Sequence, residues 1–256
     1  MGRRALLRGT AAAAILFLIG AFYLALTWPD VATLAQTPPR STAFMDRYRD
    51  RQREAGRSDA IAWHWVPWEE VSPHLKRAVV SAEDMEFFSH SGFSASEVRA
   101  AIRDALQEGK DLRGASTISQ QLVKNLWLSP SRNPLRKLKE AVLTWHLERR
   151  LSKRRILEVY LNVVEFGPGI YGAEASGQHY FGKSAASLTE VESAQLAASL
   201  PRPRTWHPGV DSPNYRRYVE DILDRMDRAT FLWRAIGADS TGGTTVQGSE
   251  SRPDSD

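Results

Sequence analysis

The feature that most constrains the fold is a series of helix-start signals, each followed by apolar residues at helical spacing. A serine, threonine or asparagine side chain caps free backbone N–H groups, and a proline in the first turn loses no hydrogen bond. The signals lie at Ser72-Pro73, Ser94 with Glu97, Asn133-Pro134, Ser152, and Thr189 with Glu192. Strand-like alternation is scarce apart from IAWHWV at 61–66. The sequence therefore predicts a mainly α domain.

Apolar residues at spacings of three and four predict which face of each helix points inward. The helix that follows Ser72 is expected to end at or near Glu83, and a last helix is expected near 215–235. The predicted inward residues are Leu75, Ala78, Val79 and Ala82 in the first helix, Ile118, Leu122 and Leu126 in a later one, and Leu138, Val142 and Trp145 in the helix that starts at Pro134.

An uncharged run from Gly9 to Trp28 is long enough to cross a ~30 Å hydrocarbon layer as a helix. Three arginines precede it, which favours a cytoplasmic N-terminus. A cleaved signal peptide is the alternative, but its apolar region spans ~7–15 residues and ends in small residues. We expect residues 1–8 in the cytoplasm, 9–28 as a single-pass anchor in the cell inner membrane, and the rest on the periplasmic side.

The rest of the chain is expected to form one domain, residues 61–236, after a linker and solvated segment at 29–60 and before a disordered tail at 237–256. The absence of cysteine excludes disulfides and thiolate metal sites, and no two histidines stand at the spacing of a helical metal pair. Residues 132–155 are strongly basic. Outside the cytoplasm, anionic lipid or a phosphorylated substrate is a more suitable partner than nucleic acid.

The stretch SAEDMEFFSH, residues 81–90, sets two acids just before a pair of phenylalanines. One interpretation is a helix end with solvated acids and a core-facing aromatic pair. The other is a carboxylate, Glu83, held beside an apolar wall so that it can act as a base. The residues alone leave both interpretations open.

The stretch GASTISQQLVKN, residues 114–125, is dense in hydrogen-bond donors. It has no G-x-S-x-G elbow and no neighbouring histidine, which argues against a serine nucleophile, and it lacks the glycine-lysine pair of a P-loop. Some of its side chains are expected only to cap or decorate a helix. The candidates for substrate contact are Ser116, Thr117, Gln121, Lys124 and Asn125, of which the last three share one helical face.

The stretch NPLRKLKE places Arg136 and Lys137 in the first turn of a helix, where the helix dipole disfavours cations by ~0.3–1 kcal/mol each. A bound anion would reverse that penalty. The alternative is a surface ion pair between Arg136 and Glu140, worth only ~0.3–0.5 kcal/mol. Spacing alone favours the surface pair.

Taken in order, AEDMEFFSHSG, GASTISQQLVKN, RKLKE and LSKRRILEVYLN are similar to the motifs of the peptidoglycan glycosyltransferases, in the stand-alone form called monofunctional biosynthetic transglycosylase. The same module opens the class A penicillin-binding proteins. The resemblance covers about residues 61–210, and four motifs in matching order are far more specific than any one. The chain departs from the pattern at Ala115, where a glycine is common, and at Ser119, where a threonine is common.

The resemblance implies that Glu83 is a general base, with Phe87 and Phe88 excluding water and raising its pKa. Glu140 would organise the diphosphate leaving group, with a divalent cation, Mg²⁺ or Mn²⁺, as one means of doing so; no organic cofactor is implied. The cations that would balance the phosphate charge are Lys124, Arg136 and Lys137, and the remaining donor-site residues are Ser116, Thr117, Gln121 and Asn125.

The resemblance further implies a lysozyme-like, two-lobed helical domain that polymerises lipid II into β-1,4 glycan with inversion. The implied partners are lipid II, the growing lipid-linked glycan chain and the membrane, with transpeptidases as candidate protein partners. Residues 126–128, LWL, are expected either to dip into the bilayer or to pack in the core. Two alternatives remain: a lysozyme-like enzyme that cleaves peptidoglycan, and an inactive membrane-anchored scaffold.

Overall fold

The computed structural model describes residues 28–94, 116–128 and 134–237, and it is mainly helical. The helices are α1 Ala43–Glu54, α2 Pro73–Glu83, α3 Ile118–Trp127, α4 Pro134–Arg150, α5 Lys153–Val163, α6 Ala173–Phe181, α7 Glu190–Ser199, α8 Pro213–Arg228 and α9 Leu232–Ala235. Single turns of 3-10 helix lie at Ala32–Ala35, Trp68–Glu70 and Ala185–Ser187. The prediction of a mainly α domain is confirmed.

Several predicted helix starts are confirmed by their caps. The Ser72 hydroxyl accepts from the backbone N–H of His74 at 3.2 Å, and Ser152 caps α5. Thr189 and Glu192 form the expected capping box of α7. The predicted last helix is interrupted, because α8 ends at Arg228 and α9 begins at Leu232.

A small sheet joins the segment before α2 to the loop after α5. Its strands are β1 Ala62–Trp63, β2 Glu165–Gly167 and β3 Ile170–Tyr171, in the order β1-β3-β2, with β1 parallel and β2 antiparallel to β3. The strand expected at 61–66 is therefore only two residues long. Gly172 follows β3 with φ near 80°, and a Cβ there would lie 2.5 Å from the Asn162 carbonyl oxygen, so only glycine fits.

The helices pack in two groups around a shared core. In one group α2, α7 and α8 contact one another, and in the other α3 packs against α4 and α5. The groups meet where α2 ends and α3 begins, because the Asp84 carboxylate accepts from the backbone N–H of Ile118 at 3.0 Å. This junction brings Glu83, the last residue of α2, next to the first turns of α3.

The prediction for α4 is wrong about which face is buried. Leu138, Val142 and Trp145 were expected to point inward, but they are 62, 41 and 53% exposed. The face that packs against the protein instead carries Glu140, Leu143, Thr144 and Leu147. Glu140 can be buried because two cations pair with it, and this pairing reverses the usual rule that acids face the solvent.

Two other segments contribute to the core. Within residues 29–60, Val31, Leu34 and Met45 are buried. Of the LWL stretch expected at either the bilayer or the core, Leu126 and Leu128 are buried and Trp127 packs against core residues. The structure therefore supports packing of this stretch in the core and not insertion into the bilayer.

Some predictions lie outside the described residues. They are the anchor at 9–28 apart from Trp28, the helix expected after Ser94, the position of Ala115, and all but the first residue of the tail at 237–256. Among the residues that the structure does describe, no helix is both long enough and apolar enough to span a bilayer.

Candidate active site

A cavity of about 630 Å³ lies between the two groups of helices. Its walls come from the end of α2, the start of α3, β2 and the segment after α7. The residues that line it are Phe44, Glu83, Ser116, Gln121, Lys124, Asn125, Val164, Glu165, Leu200, Pro201, Arg202, Pro203, Arg204 and Thr205. The structure thus brings five of the sequence-predicted site residues to one cavity.

Glu83 is a partly buried acid that lines this cavity. Its Oε2 accepts a 2.6 Å hydrogen bond from Nε2 of Gln121. Burial raises the pKa of Glu83, and the hydrogen bond from Gln121 and the positive charge of Lys124 oppose that rise without cancelling it. A carboxylate with a raised pKa is a better base than a solvated one once it is deprotonated.

Gln121 is held in one orientation by two partners. The Tyr160 hydroxyl, fully buried, donates to Oε1 of Gln121 at 2.7 Å. An ionised carboxylate only accepts hydrogen bonds, so the amide must turn its N–H group toward Glu83 and its oxygen toward Tyr160. This arrangement fixes the Glu83 side chain in the cavity.

Asp84 and His90 form a buried pair beside Glu83 that the sequence analysis did not single out. His90 Nε2 lies 3.0 Å from each Asp84 carboxylate oxygen, and one of these oxygens also accepts from the Ile118 backbone N–H. The pair therefore fixes the start of α3, which carries Gln121, relative to the end of α2. The signal was available, since Asp84 and His90 both lie in the quoted SAEDMEFFSH stretch.

Lys124 lines the cavity together with Glu83 and interacts electrostatically with charged residues of α4, Arg136, Lys137 and Glu140, which do not line it. Its Nζ donates to Ser116 Oγ at 3.3 Å, and burial lowers the pKa of Lys124. The neighbouring charges that act on this pKa include Glu140, Lys137 and Arg136 as well as Glu83. The charge of Lys124 is thus coupled both to Glu83 and to the charged residues of α4.

Glu140 is the centre of this cluster of charged residues on α4. It is 1% exposed, and its carboxylate accepts from Arg136 Nη1 at 3.0 Å and from Lys137 Nζ at 2.6 Å. The predicted ion pair between Arg136 and Glu140 is confirmed, but it is not a surface pair, because the acid is buried. Among the residues that the structure describes, Lys124 is a third cation whose charge is coupled to this carboxylate, and such a group of cations suits the binding of an anion.

A metal centre built by the protein alone does not fit this donor set. Both oxygens of Glu140 face cationic side chains, and the described ranges hold no group of three or more histidine, aspartate and glutamate side chains placed to share an ion. The carboxylate of Glu140 is therefore occupied by cationic side chains and does not fit the predicted binding of Mg²⁺ or Mn²⁺.

Other predicted contacts are not brought to the cavity. Phe87 and Phe88 do not line it; Phe87 instead contacts Phe88, His90 and Lys153. The apolar part of the cavity wall comes from residues that lie far from Glu83 in the sequence, namely Phe44, Val164, Leu200, Pro201 and Pro203.

Two of the predicted donors make hydrogen bonds within the protein. Thr117 is buried, caps α3 and donates to the Gly92 carbonyl at 2.7 Å, so it does not reach the cavity. Asn125 lines the cavity, but its Nδ2 donates to the Gln121 carbonyl at 2.9 Å. The cap of α3 could have been recognised from Thr117 and Gln120, which have capping-box spacing.

Comparison with known proteins identifies the family. The Transglycosylase family model matches residues 51–227. A biosynthetic peptidoglycan transglycosylase of Nitrosospira multiformis is 45% identical over 192 residues, which cover 75% of this chain and 84% of that protein. A protein of the same description from Thiobacillus denitrificans is 44% identical over 215 residues, which cover 83% of this chain and 90% of that protein. Another from Azoarcus sp. is 45% identical over 214 residues, which cover 82% of this chain and 92% of that protein. The chain therefore belongs to the transglycosylase family.

Proposed function

We propose that the protein is a peptidoglycan glycosyltransferase that polymerises lipid II in cell wall synthesis, with Glu83 as the general base. The observation that carries this proposal is the placement of Glu83 and Lys124 in one cavity, with Lys124 coupled to the cations around Glu140. A base and an anion site side by side are what transfer from a diphosphate donor to a hydroxyl requires.

In the proposed reaction the acceptor is the 4-hydroxyl of an N-acetylglucosamine unit. Glu83 removes the hydroxyl proton while the oxygen attacks the anomeric carbon of the donor's N-acetylmuramic acid. The bond from that carbon to the diphosphate oxygen breaks on the opposite face, and the oxygen leaves with the electron pair. One inversion converts an α-linked lipid diphosphate into a β-1,4 bond.

The departing diphosphate is proposed to meet Lys124, Arg136 and Lys137. These cations stabilise charge as it develops on the leaving oxygen, which is the form of stabilisation that lowers a barrier. Glu140 keeps Arg136 and Lys137 together on one helical turn and prevents their mutual repulsion in the free enzyme. The proposed role of Glu140 is to position the two cations.

The two groups of helices with a cavity between them suit the lysozyme-like, two-lobed architecture expected from the motifs. A cleaving enzyme on the same scaffold is the competing function. The cationic cluster favours synthesis, because glycan hydrolysis releases no phosphate. An inactive scaffold would have no need for a buried carboxylate with a raised pKa.

Membrane attachment is also part of the proposal. Residues 9–28 would anchor the chain, with the catalytic domain on the periplasmic side of the inner membrane. Trp28, where this run ends, donates from its ring nitrogen to His146 of α4 at 3.3 Å. His146 adjoins Trp145 on the exposed apolar face of α4, so this face would lie toward the lipid.

Transpeptidases that crosslink the product are proposed as partners.

Incubation of the protein with labelled lipid II tests the function. We expect wild type to form long glycan and Glu83→Gln to lose nearly all polymerisation while its circular dichroism spectrum is unchanged. Loss of preformed glycan without polymerisation would instead establish the cleaving enzyme. Full polymerisation by Glu83→Gln would remove Glu83 from the base role. Glu69→Gln, an exposed acid that pairs with Arg154, is the matched control.

A further inference from the structure

The cavity has a second buried glutamate surrounded by cations, which the proposed mechanism does not use. Glu165, in β2, is 9% exposed and lines the same cavity as Glu83. Its Oε1 is buried and has no hydrogen-bond partner among the described residues. Such an atom costs free energy unless another charge or a ligand compensates for it.

The charged side chain that pairs with that oxygen is Arg204, which lines the cavity wall. Arg204 Nε lies 3.7 Å from Glu165 Oε1, which is an ion pair but longer than a hydrogen bond. The Arg204 side chain is 49% exposed, so much of its guanidinium remains open to solvent and to a ligand. Glu165 thus holds Arg204 at the cavity while leaving its donors available.

Two further cations stand in this region. Arg202 is exposed and lines the same cavity as Arg204, and the positive charge of Arg51 acts with that of Arg204 on the pKa of Glu165, which burial raises. The Glu165 cluster, defined as Glu165, Arg51 and Arg204, therefore has two cations that act on one carboxylate, and Arg202 adds a further positive charge to the same cavity wall.

The two clusters occupy different parts of the site. The charges that act on Lys124 are Glu83 and the members of the Glu140 cluster, whereas those that act on Glu165 are Arg204 and Arg51. Glu165, Arg202 and Arg204 line the same cavity as Glu83, whereas Arg136, Lys137 and Glu140 do not line it. The Glu165 cluster and the cluster around Glu140 are therefore two separate groups of charge.

The chemistry of the proposed function calls for two anion sites. Polymerisation brings together two lipid-linked diphosphates. The diphosphate of the donor leaves during the reaction. The diphosphate of the acceptor stays attached to the sugar next to the one that presents the 4-hydroxyl. We propose that the Glu165 cluster binds the diphosphate of the acceptor, with Arg204 as the contacting residue and Glu165 as the residue that positions it. This inference rests on the proposed function and adds the acceptor's anchoring point to it.

The test separates donor from acceptor. The donor is a lipid-linked glycan whose terminal 4-hydroxyl is chemically blocked, so that it cannot act as acceptor, and the acceptor is lipid II. We expect Arg204→Ala to raise the acceptor KM by about tenfold, the loss expected for one or two hydrogen bonds to a charged group, with kcat and the donor KM unchanged. Arg136→Ala is expected instead to lower kcat/KM for the donor and to leave the acceptor KM unchanged.

Two further variants complete the design. Glu165→Gln keeps the shape but removes the charge that holds Arg204, and we expect a smaller rise in acceptor KM with kcat retained. Arg216→Ala removes an exposed arginine that pairs with Asp211 and does not line the cavity, so it should behave as wild type. An unchanged acceptor KM in Arg204→Ala, measured with an active wild type, would overturn the inference alone. A wild type that forms no polymer would instead overturn the proposed function.

Anionic phospholipid headgroups offer the same phosphate chemistry as the acceptor. The measurement is therefore repeated in a neutral detergent without phospholipid and in vesicles rich in phosphatidylglycerol. Persistence of the Arg204→Ala effect in the detergent supports acceptor binding. An effect confined to the anionic vesicles would show that the cluster binds the membrane surface, and this would overturn the assignment.

Discussion

Gln121 Nε2 donates a 2.6 Å hydrogen bond to Glu83 Oε2 across the junction between α3 and α2. This bond connects two motifs that lie 38 residues apart in the chain. It depends on Tyr160, whose hydroxyl donates to the Gln121 amide oxygen, and on Asp84, which accepts from the first N–H of α3. The basicity of Glu83 is therefore set by residues from three helices.

The pH dependence of the reaction should report on Lys124. The positive charge of Lys124 lowers the pKa of Glu83, so its removal in Lys124→Met lets that pKa rise further. The base is then protonated at a higher pH, and the acidic limb of the kcat/KM profile should move to higher pH than in wild type. Steady-state polymerisation rates across the acidic range measure this limb. A limb that stays in place would contradict the coupling.

Glu83→Gln should stabilise the fold at neutral pH. Because burial raises the folded-state pKa of Glu83, the folded protein binds more protons than the unfolded chain between the two pKa values, and stability falls as pH rises through that window. The glutamine variant lacks this loss, so the difference in Tm should grow from near zero at about pH 4 to a clear gain at about pH 8. Calorimetry at both pH values checks it, and Glu69→Gln should show no such trend.

Arg136→Gln should weaken donor use more than Lys139→Gln. Arg136 pairs with the buried Glu140, whereas Lys139, on the same helix, makes neither of the two ion pairs to that acid. We expect kcat/KM for the donor to fall by about ten- to a hundredfold in Arg136→Gln, as for loss of a charge-assisted contact, and to change little in Lys139→Gln. Equal losses in both variants would indicate a general effect of surface charge.

The exposed apolar face of α4 should lie in lipid. The chain has no cysteine, so Leu138→Cys and Trp145→Cys each offer a single labelling site. With an environment-sensitive dye on the full chain in proteoliposomes, we expect quenching by nitroxide-bearing lipids at both positions. A dye at Glu220→Cys, an exposed polar position on α8, is the control and should not be quenched. Equal quenching at all three positions would contradict this orientation.

Asn162→Ala should destabilise the domain. The buried Asn162 amide accepts from the Val66 backbone N–H and donates to the Val66 carbonyl, both at 2.9 Å, which secures the segment before α2 to α5. Truncation leaves both backbone groups buried without these partners, at a cost of about 2–3 kcal/mol in the free energy of unfolding. Urea denaturation measures the change. A loss as small as that of an exposed substitution would show that water replaces the amide.

Local patterns were sufficient to predict the starts of several helices, although α6 was not predicted and the expected last helix is interrupted. Caps such as Ser72, Ser152 and Thr189 act on backbone groups within a few residues, so their effect can be read from neighbouring positions. The order of the motifs identified the transglycosylase family, which the comparisons confirm. The nomination of Glu83 and Lys124 also came from the motifs, and the structure places both in one cavity.

Burial and pairing between distant segments could be decided only by the tertiary structure. The prediction of which face of α4 is buried was wrong. Leu138 and Trp145 are exposed, whereas Glu140 is buried. The apolar wall of the cavity comes from Phe44, Val164 and the segment after α7, not from the phenylalanines that follow Glu83.

The physical reason for this division is the range of the interactions. Helix capping and side-chain periodicity act within one or two turns, so the amino-acid sequence determines them directly. Desolvation and ion pairing depend on which surfaces meet across the core, and they set the pKa of Glu83 and the burial of Glu140. The sequence by itself determined most of the helix starts and the candidate site residues, and the packing of the helices decided the environment in which these side chains lie.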